Sequence, residues 1–232
     1  EKFTEYMHYP QNMESPSAAT YLEGEFSRLA ERLLPKGESL RPVVLMARIA
    51  LRNEQRKLFS RLQKMRERAP WNLSWGEIYL LRRAGLTMSA EDHVALLQDA
   101  LEGLKRRADK RTRDGIYVLV EGAFCEQPPL EFFDVMEEAG AFVLEDDTLL
   151  GLRWFAEPVP LNGDGILALA QSYLRRSVPS SVRHEGGKSR AQALVERVRR
   201  SAAHGVVFMS PKFCEPALYD SVRMKDALDR EG

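Results

Sequence analysis

The sequence has few of the residues that usually announce a function. Its 232 residues include two cysteines, four histidines, and basic and acidic residues in equal number, 34 of each. So few cysteines exclude a disulfide scaffold and indicate a reducing cytoplasm. The zero net charge gives no reason to expect a nucleic-acid partner. No apolar run is long enough to span a bilayer and no segment reads as a signal peptide, so no membrane partner is expected.

Nucleotide and zinc motifs are lacking as well. No G-x-G-x-x-G follows a strand and no Walker lysine loop is present, which argues against a nicotinamide or ATP site in this chain. The segment 186–189, GGKS, lacks the earlier glycine and the preceding strand of a Walker loop, and we interpret it as a flexible loop. The histidines form no spaced ligand pair. Two of them, His93 and His204, are predicted on helices as surface or boundary residues.

Helical patterns fill the first half of the chain. Apolar spacing and capping residues predict helices at about 17–34, from Pro42 onward, at 75–83 and at 89–107. The charged residues of the long second helix are interpreted as a solvated face. The basic clusters at 105–107 and 110–113 are interpreted as solvated helix ends and loops.

The second half alternates short apolar strands with helices. Strands are predicted at 116–120, 141–144 and 206–209, and helices at 130–139, 164–175, up to His204 and at the end of the chain. Such alternation predicts a parallel sheet covered on both faces, in a doubly wound, flavodoxin-like or Rossmann-like α/β domain. We therefore expect a helical connecting subdomain at 1–110 and an α/β domain at 111–232, in a chain interpreted as truncated at both ends.

The two cysteines occupy matching positions. Cys125 lies in GAFCEQPP and Cys214 in SPKFCEP, and in each case a predicted strand leads through a short loop to a cysteine that opens a helix. The carboxyl ends of parallel strands are where ligands collect, and a helix N-terminus favours a thiolate. Most lone cysteines are small buried hydrophobic residues. The repeated placement makes a functional interpretation and this structural one equally strong.

Several acidic residues lie at the same predicted edge. Glu145, Asp146 and Asp147 follow the second strand and could bind a cation, but they lack a further oxygen ligand at a defined spacing. A polar turn is the better interpretation. Glu126 and Glu215, each directly after a cysteine, are candidate proton donors, although carboxylates that favour a helix dipole account for them more simply.

Two separate thiols leave two chemical options open. A redox disulfide is the weaker one, because the cysteines are not in a C-x-x-C motif. Shared ligation of an iron–sulfur cluster is the other, and it needs three or four thiolates. Further ligands would then have to come from other sequence or from a partner.

At this point the motifs resemble a known family. The segment around Cys125, the strand leading to EDDTLLGLRW, and the late GVVF and KFCEP motifs around Cys214 resemble the benzoyl-CoA reductase and 2-hydroxyacyl-CoA dehydratase family. The likeness is strongest to the smaller substrate-binding subunit of the ATP-dependent reductases. It extends over nearly the whole chain, whereas an N-terminal α/β domain of the family is not found in the sequence.

The resemblance implies a cofactor, partners and a reaction. Family members bind a [4Fe-4S] cluster through cysteines of each subunit, work with a homologous second substrate-binding subunit, and receive low-potential electrons from an ATP-hydrolysing activator. The electron passes to an acyl-CoA substrate, giving a ketyl-type radical. The resemblance implies Cys214 as a cluster ligand and, less directly, Cys125. The resemblance assigns no catalytic residue in this chain.

Three functions follow as alternatives. The first is an iron–sulfur subunit of a hetero-oligomeric enzyme that reduces the ring of an aromatic acyl-CoA to a cyclic dienoyl-CoA. The second is a subunit of an (R)-2-hydroxyacyl-CoA dehydratase. The third is a scaffold subunit of the same fold, in which both cysteines are core residues and a partner holds the cluster.

Overall fold

The computed structural model describes residues 4–107, 114–122, 128–147, 157–176 and 189–231. Its elements in chain order are α1 (Ala18–Leu33), α2 (Pro42–Arg68), α3 (Trp75–Ala84), α4 (Ala90–Arg107), β1 (Ile116–Gly122), α5 (Leu130–Glu138), β2 (Ala141–Asp146), α6 (Gly165–Arg176), α7 (Arg190–Arg200), β3 (Gly205–Met209) and α8 (Glu215–Asp229). The strands are all parallel, in the order β2-β1-β3. The predicted α/β fold class is confirmed.

Contacts divide the chain into two compact units. One consists of Glu1–Glu54 with Glu157–Ser177, and the other of Gln55–Ala156 with Val178–Gly232. The predicted boundary between residues 110 and 111 lies outside the described residues and stays a prediction. No helix in the described ranges combines the length and apolarity needed to cross a membrane.

The first unit is a small helical core. Leu22 of α1 packs against Ala170 and Leu174 of α6, so the two helices bury a common apolar stripe. The first half of α2 is fixed to the segment before α6 by the amide of Asn53, which donates to the Val159 carbonyl at 2.8 Å and accepts from the Val159 N–H at 2.9 Å. One side chain therefore satisfies both backbone groups of Val159.

The second unit holds the sheet between two helical layers. On one face, residues of β1 and β2 pack with helices α2, α3, α4 and α5 through a cluster that includes Leu62, Trp75, Leu97, Val120, Phe133 and Val143. On the other face, Leu119 and Leu144 pack against Leu194 of α7 and Met224 of α8. Strands buried on both faces have the near-continuous apolar sequence that predicted them.

A β-bulge in β2 determines which face its last residues use. Val143 is paired with Val118 and Glu145 with Leu119, so Leu144 is an extra residue in the ladder. Its carbonyl accepts from Gln63 Nε2 at 2.7 Å and Arg66 Nη1 at 3.2 Å. The bulge thus attaches β2 to α2. It also reverses the face of the sheet to which each later side chain of the strand points.

Two histidines differ from their predicted surroundings. His93 is on a helix but fully buried, at 0% exposure. Its Nδ1 lies 2.9 Å from Gln55 Nε2 and its Nε2 lies 2.8 Å from the Leu81 carbonyl, which makes it a polar link between α2, α3 and α4. His204 is not on a helix, because α7 ends at Arg200. It precedes β3, where its N–H donates to the Tyr117 carbonyl and its Nδ1 accepts from the Tyr117 N–H.

Some charged residues of the helices also depart from prediction. Arg66, expected on a solvated face of α2, is buried, and its Nε donates to the Leu73 carbonyl at 3.1 Å. Burial lowers the pKa of Arg66 to about 10. The basic cluster at 105–107 is exposed at the end of α4, as predicted. The cluster at 110–113 lies outside the described residues.

Candidate functional site

The carboxyl ends of the three strands meet at one edge of the sheet, because the strands are parallel. Gly122, the last residue of β1, is paired with Met209, the last residue of β3. The chain continues from Gly122 toward Cys125 and from Met209 toward Cys214. The strands that precede the two cysteines therefore end side by side, at the carboxyl edge where both cysteines were predicted.

Cys214 is the residue immediately before α8. A turn after β3 brings its N–H within 3.1 Å of the Pro211 carbonyl, and its own carbonyl accepts the first helical hydrogen bond, from the Leu218 N–H at 3.0 Å. Its exposure is 7%, and it packs against Ala217 one turn into the helix. Pro216 is compatible with the first turn of α8, because the N–H groups of a first helical turn have no hydrogen-bond partner within the helix. The sequence thus places a buried thiol at a helix N-terminus on the ligand edge of the sheet.

The residue before Cys214 has an unusual backbone. Phe213 adopts a φ of +68°, the left-handed region that side chains other than glycine rarely occupy. Its ring is 84% exposed and lies beneath Lys212, whose Nζ is 5.1 Å from the ring centroid. Little apolar burial offsets the backbone cost. Local strain of this kind is concentrated at functional sites.

Only some of the other predicted site residues lie within the described ranges. Cys125 and Glu126 lie outside the described residues, as does 186–188 of the segment GGKS, and the roles predicted for them stay predictions. Ser189 of that segment caps α7, accepting from the Gln192 N–H. Glu215 is exposed in the first turn of α8, where a carboxylate favours the helix dipole.

The predicted acidic turn is wrong. Glu145 and Asp146 are the last residues of β2, and they and Asp147 are all buried. The physical reason is that arginines from the flanking helices neutralise them. Asp146 faces the α2–α3 side, where Arg82 Nη1 lies 2.5 Å from its Oδ2. Because the bulge sends Glu145 to the opposite face, the carboxylates do not converge on one point.

On that opposite face lies a group that we call the edge ion cluster. Its carboxylates come from the ends of β1 and β2 and from α8, and its arginines from α7: Glu121, Glu145, Asp147, Asp220, Arg190 and Arg197. Arg190 and Arg197 are seven residues apart and share the buried face of α7 with Leu194. The seven-residue spacing indicates that the two arginines lie on the same face of the helix as Leu194, but the sequence analysis did not predict that they are buried.

The arginines of the cluster each bind more than one carboxylate. Arg190 Nη2 lies 2.9 Å from Asp147 Oδ2 and 3.2 Å from Glu121 Oε2, and its Nη1 lies 3.1 Å from Asp220 Oδ2. Arg197 binds Glu121 through Nη1 and Glu145 through Nε, the latter at 3.0 Å. The cluster therefore joins α7 and α8 to the carboxyl edge of the sheet.

The surroundings of one member of the cluster raise its pKa. Burial, followed by the neighbouring charge of Asp147, raises the pKa of Glu121 to about 7, against the opposing effect of Arg197 and Arg190. Within the described ranges, no group of three or more histidine, cysteine or acidic side chains is arranged to hold a metal ion. The described part of this edge thus offers one thiol, one carboxyl with a raised pKa, and carboxylates paired with arginines.

Comparison with known proteins identifies the family of the chain. The family model described as "2-hydroxyglutaryl-CoA dehydratase, D-component" matches residues 1–232. One of the subunits of the benzoyl-CoA reductase of Thauera aromatica is 32% identical over 227 residues, which are 97% of this chain and 58% of that protein. The family resemblance inferred from the cysteine motifs is confirmed.

Two dehydratase subunits are more distant relatives. The (R)-phenyllactyl-CoA dehydratase beta subunit of Clostridium sporogenes is 21% identical over 96% of this chain and 59% of that protein. The beta subunit of the lactoyl-CoA dehydratase of Anaerotignum propionicum is 24% identical over 97% of this chain and 59% of that protein. The chain thus spans less than three fifths of the length of these relatives.

Proposed function

Because the chain belongs to the 2-hydroxyglutaryl-CoA dehydratase, D-component family, we propose that it functions in a subunit of a multi-subunit enzyme that transforms an acyl-CoA thioester. The three relatives are by name subunits of a benzoyl-CoA reductase or of acyl-CoA dehydratases. A homologous second subunit is the expected partner. An ATP-hydrolysing electron activator is the expected electron source.

Reduction of an aromatic acyl-CoA is the reaction that we propose first. The observation behind it is the 32% identity to a benzoyl-CoA reductase subunit, against 21% and 24% to the two dehydratase subunits. Dehydration of an (R)-2-hydroxyacyl-CoA is the second candidate, favoured by the description of the family model. Both reactions place the acyl-CoA at a site shared with sequence beyond this chain.

We propose Cys214 as a ligand of a [4Fe-4S] cluster. The fit rests on its position, because a buried sulfur at the start of a helix is next to backbone N–H groups that can donate to a metal-bound thiolate. When bound, such a cluster supplies single low-potential electrons. One thiol cannot hold it, so Cys125 and residues outside this chain are expected to complete the ligand set.

The chain's own residues support that role in two ways. Cys214 is buried beside Ala217, and shielding from water lets hydrogen bonds and charge set a redox potential. The turn through Pro211 and Phe213 fixes the direction in which α8 presents its first residue. Cys214 is in this proposal a positioned ligand and not a proton donor.

The test is the iron content of the full-length subunit purified with its partner under anaerobic conditions. The wild-type complex is expected to be brown, and Cys214→Ser to lose most of its iron, acid-labile sulfide and cluster absorbance. Ser221→Ala is the matched control, since Ser221 is half-buried on the same helix, about two turns from Cys214, and its hydroxyl donates to the Leu218 carbonyl of that helix. Cys125→Ser shows whether the second cysteine contributes.

Two outcomes contradict the proposal. Full iron content in Cys214→Ser would remove Cys214 from the ligand set, and a colourless wild-type complex would favour the scaffold function. Assays of the intact complex with benzoyl-CoA and with a 2-hydroxyacyl-CoA separate the two reactions. Ring reduction without dehydration is the expected result.

A further inference from the structure

The two edges of the sheet differ in how they are protected from further pairing. At β2 the bulge at Leu144 interrupts the ladder, and Gln63 and Arg66 of α2 bind the Leu144 carbonyl at 2.7 and 3.2 Å. β3, at the other edge, has the sequence GVVFM and contains no charge, proline or bulge. All five of its residues are only half-buried. Charges, prolines and bulges are the devices that keep an edge strand from accepting another strand, and β3 has none of them.

The backbone groups at the outer edge of β3 follow from the hydrogen bonds of β1. The Ile116 N–H donates to a carbonyl just before β2, and the Val120 carbonyl accepts from an N–H just after β2. The even-numbered residues of β1 therefore face β2 and the odd-numbered residues face β3, because backbone groups alternate in direction along a strand. In the observed register, the N–H and carbonyl of Val207 then face β1, and those of Val206 and Phe208 face outward.

The positions of the helices show where the chain goes after α8. α5 packs on one face of the sheet through Phe133 and leads from β1 to β2. α7 packs on the opposite face through Leu194, and the chain passes from β2 across β1 to β3. These two connections have the same hand, and parallel connections are right-handed in nearly all sheets. α8 shares the face of α7 through Met224, so a connection of the same hand carries the chain onward, to the outer edge of β3.

α8 presents apolar side chains on the side of that edge. Asp220 marks the flank of α8 that faces α7, since it binds Arg190 at 3.1 Å. Leu218 and Val222, two residues to either side of Asp220, lie about 160° away from it around the helix. They are 46% and 60% exposed. Because α7 binds carboxylates at the ends of β1 and β2, and α8 begins after a short turn from β3, this apolar flank is on the β3 side.

We propose that the segment of the full-length subunit that follows residue 232 forms a strand that pairs in parallel with the outer edge of β3 and packs against Leu218 and Val222. The relatives are long enough to contain such a strand, since this chain spans less than three fifths of their length. The inference rests on the proposed function only in taking the chain as part of a longer subunit.

The added strand has a consequence for the site. Parallel strands end at the same edge of a sheet, and ligands bind at the carboxyl ends. The residues that follow the added strand therefore lie beside the turn that leads to Cys214, on the side away from β1. They are the part of the full-length subunit that this fold brings to the thiol from its open side.

Residue-resolved hydrogen exchange of the wild-type full-length subunit with its partner tests the pairing. The Val207 amide faces β1 and is protected with or without another strand, so it is the internal control. The amides of Val206 and Phe208 are expected to be protected to within roughly tenfold of Val207. At an open edge they exchange at least about a hundredfold faster than Val207, and that result overturns the proposal.

A photo-cross-link identifies the strand that occupies the edge. In the intact complex, Val222→p-benzoylphenylalanine is expected to join position 222 to a peptide that follows residue 232 of the same subunit. The same substitution at Glu102, exposed on α4, is the matched control and should not join that peptide. Cross-links from position 222 to the partner subunit or to a second copy, in place of that peptide, overturn the proposal. Neither measurement depends on iron, so failure of the proposed cluster is distinguishable from failure of this inference.

Discussion

At the scale of single residues, His93 shows how a polar side chain becomes part of a core. Both ring nitrogens are within hydrogen-bonding distance of partners on other helices, which offsets the cost of burial. The ring also occupies the space next to Gly85. A β-carbon at Gly85 would lie 2.7 Å from the Cε1 of His93.

Gly85→Ala is therefore expected to destabilise the protein by about 1–3 kcal/mol, since the imidazole is held on two sides and cannot move away. Gly103→Ala makes the same chemical change within α4, where a β-carbon meets nothing within 4 Å, and should stabilise by about 0.5–1 kcal/mol. Denaturant unfolding of the two variants measures the contrast. Equal effects would show that the imidazole does not fill the space as described.

Phe213 is the second residue whose conformation has a measurable consequence. Because its φ is positive and its ring is exposed, Phe213→Gly should leave stability unchanged or raise it by up to about 1 kcal/mol. Phe213→Val, which is β-branched, should cost about 1–2 kcal/mol. Thermal unfolding compares the two. A glycine variant less stable than the valine variant would contradict the backbone argument.

At the scale of elements, α7 is held by buried ion pairs as well as by apolar packing. Arg197 binds two buried carboxylates, whereas Arg199, two residues later, pairs with Glu231 at the surface. Removing one partner of a buried ion pair leaves uncompensated charge. The same removal at an exposed pair loses little because water screens both groups.

Arg197→Ala is expected to lose about 3–5 kcal/mol of stability, and Arg199→Ala about 0–1 kcal/mol. Urea unfolding at fixed pH compares the variants. A small loss for Arg197→Ala would mean that water enters the edge ion cluster. The difference between the two stability losses also distinguishes the contribution of the edge ion cluster from the general effect of removing an arginine from α7.

The elements themselves were predictable from the sequence. Capping residues and apolar periodicity located the helices within a few residues, because these signals depend on neighbours in the chain. The ends of the strands were not predictable in the same way. The sequence alone predicts a turn at Glu145 and Asp146, because two adjacent acidic residues are unusual in a buried strand. They are buried because Arg197 and Arg82, from helices distant in sequence, neutralise them.

At the scale of the whole molecule, the two cysteine motifs together with the strand leading into EDDTLLGLRW predicted the family, which the match over residues 1–232 confirms. They also predicted the edge of the sheet at which Cys214 lies. The edge ion cluster could not be found in this way, since its six members come from four separated parts of the chain. Only the fold brings them together.

The bulge at Leu144 has a consequence for alignments of related sequences. Leu144 has no partner position in the ladder, because Val143 and Glu145 pair with consecutive residues of β1. A relative that lacks one residue here therefore still directs the carboxylates of Glu145 and Asp146 to the same helical layers. A gap placed there leaves the ion pairs of Glu145 and Asp146 in place, and it removes the Leu144 side chain from the core and the carbonyl that binds Gln63 and Arg66. A gap placed after it deletes a partner of a buried arginine. The position of a one-residue gap in an alignment thus decides whether two homologues are judged to share these buried ion pairs.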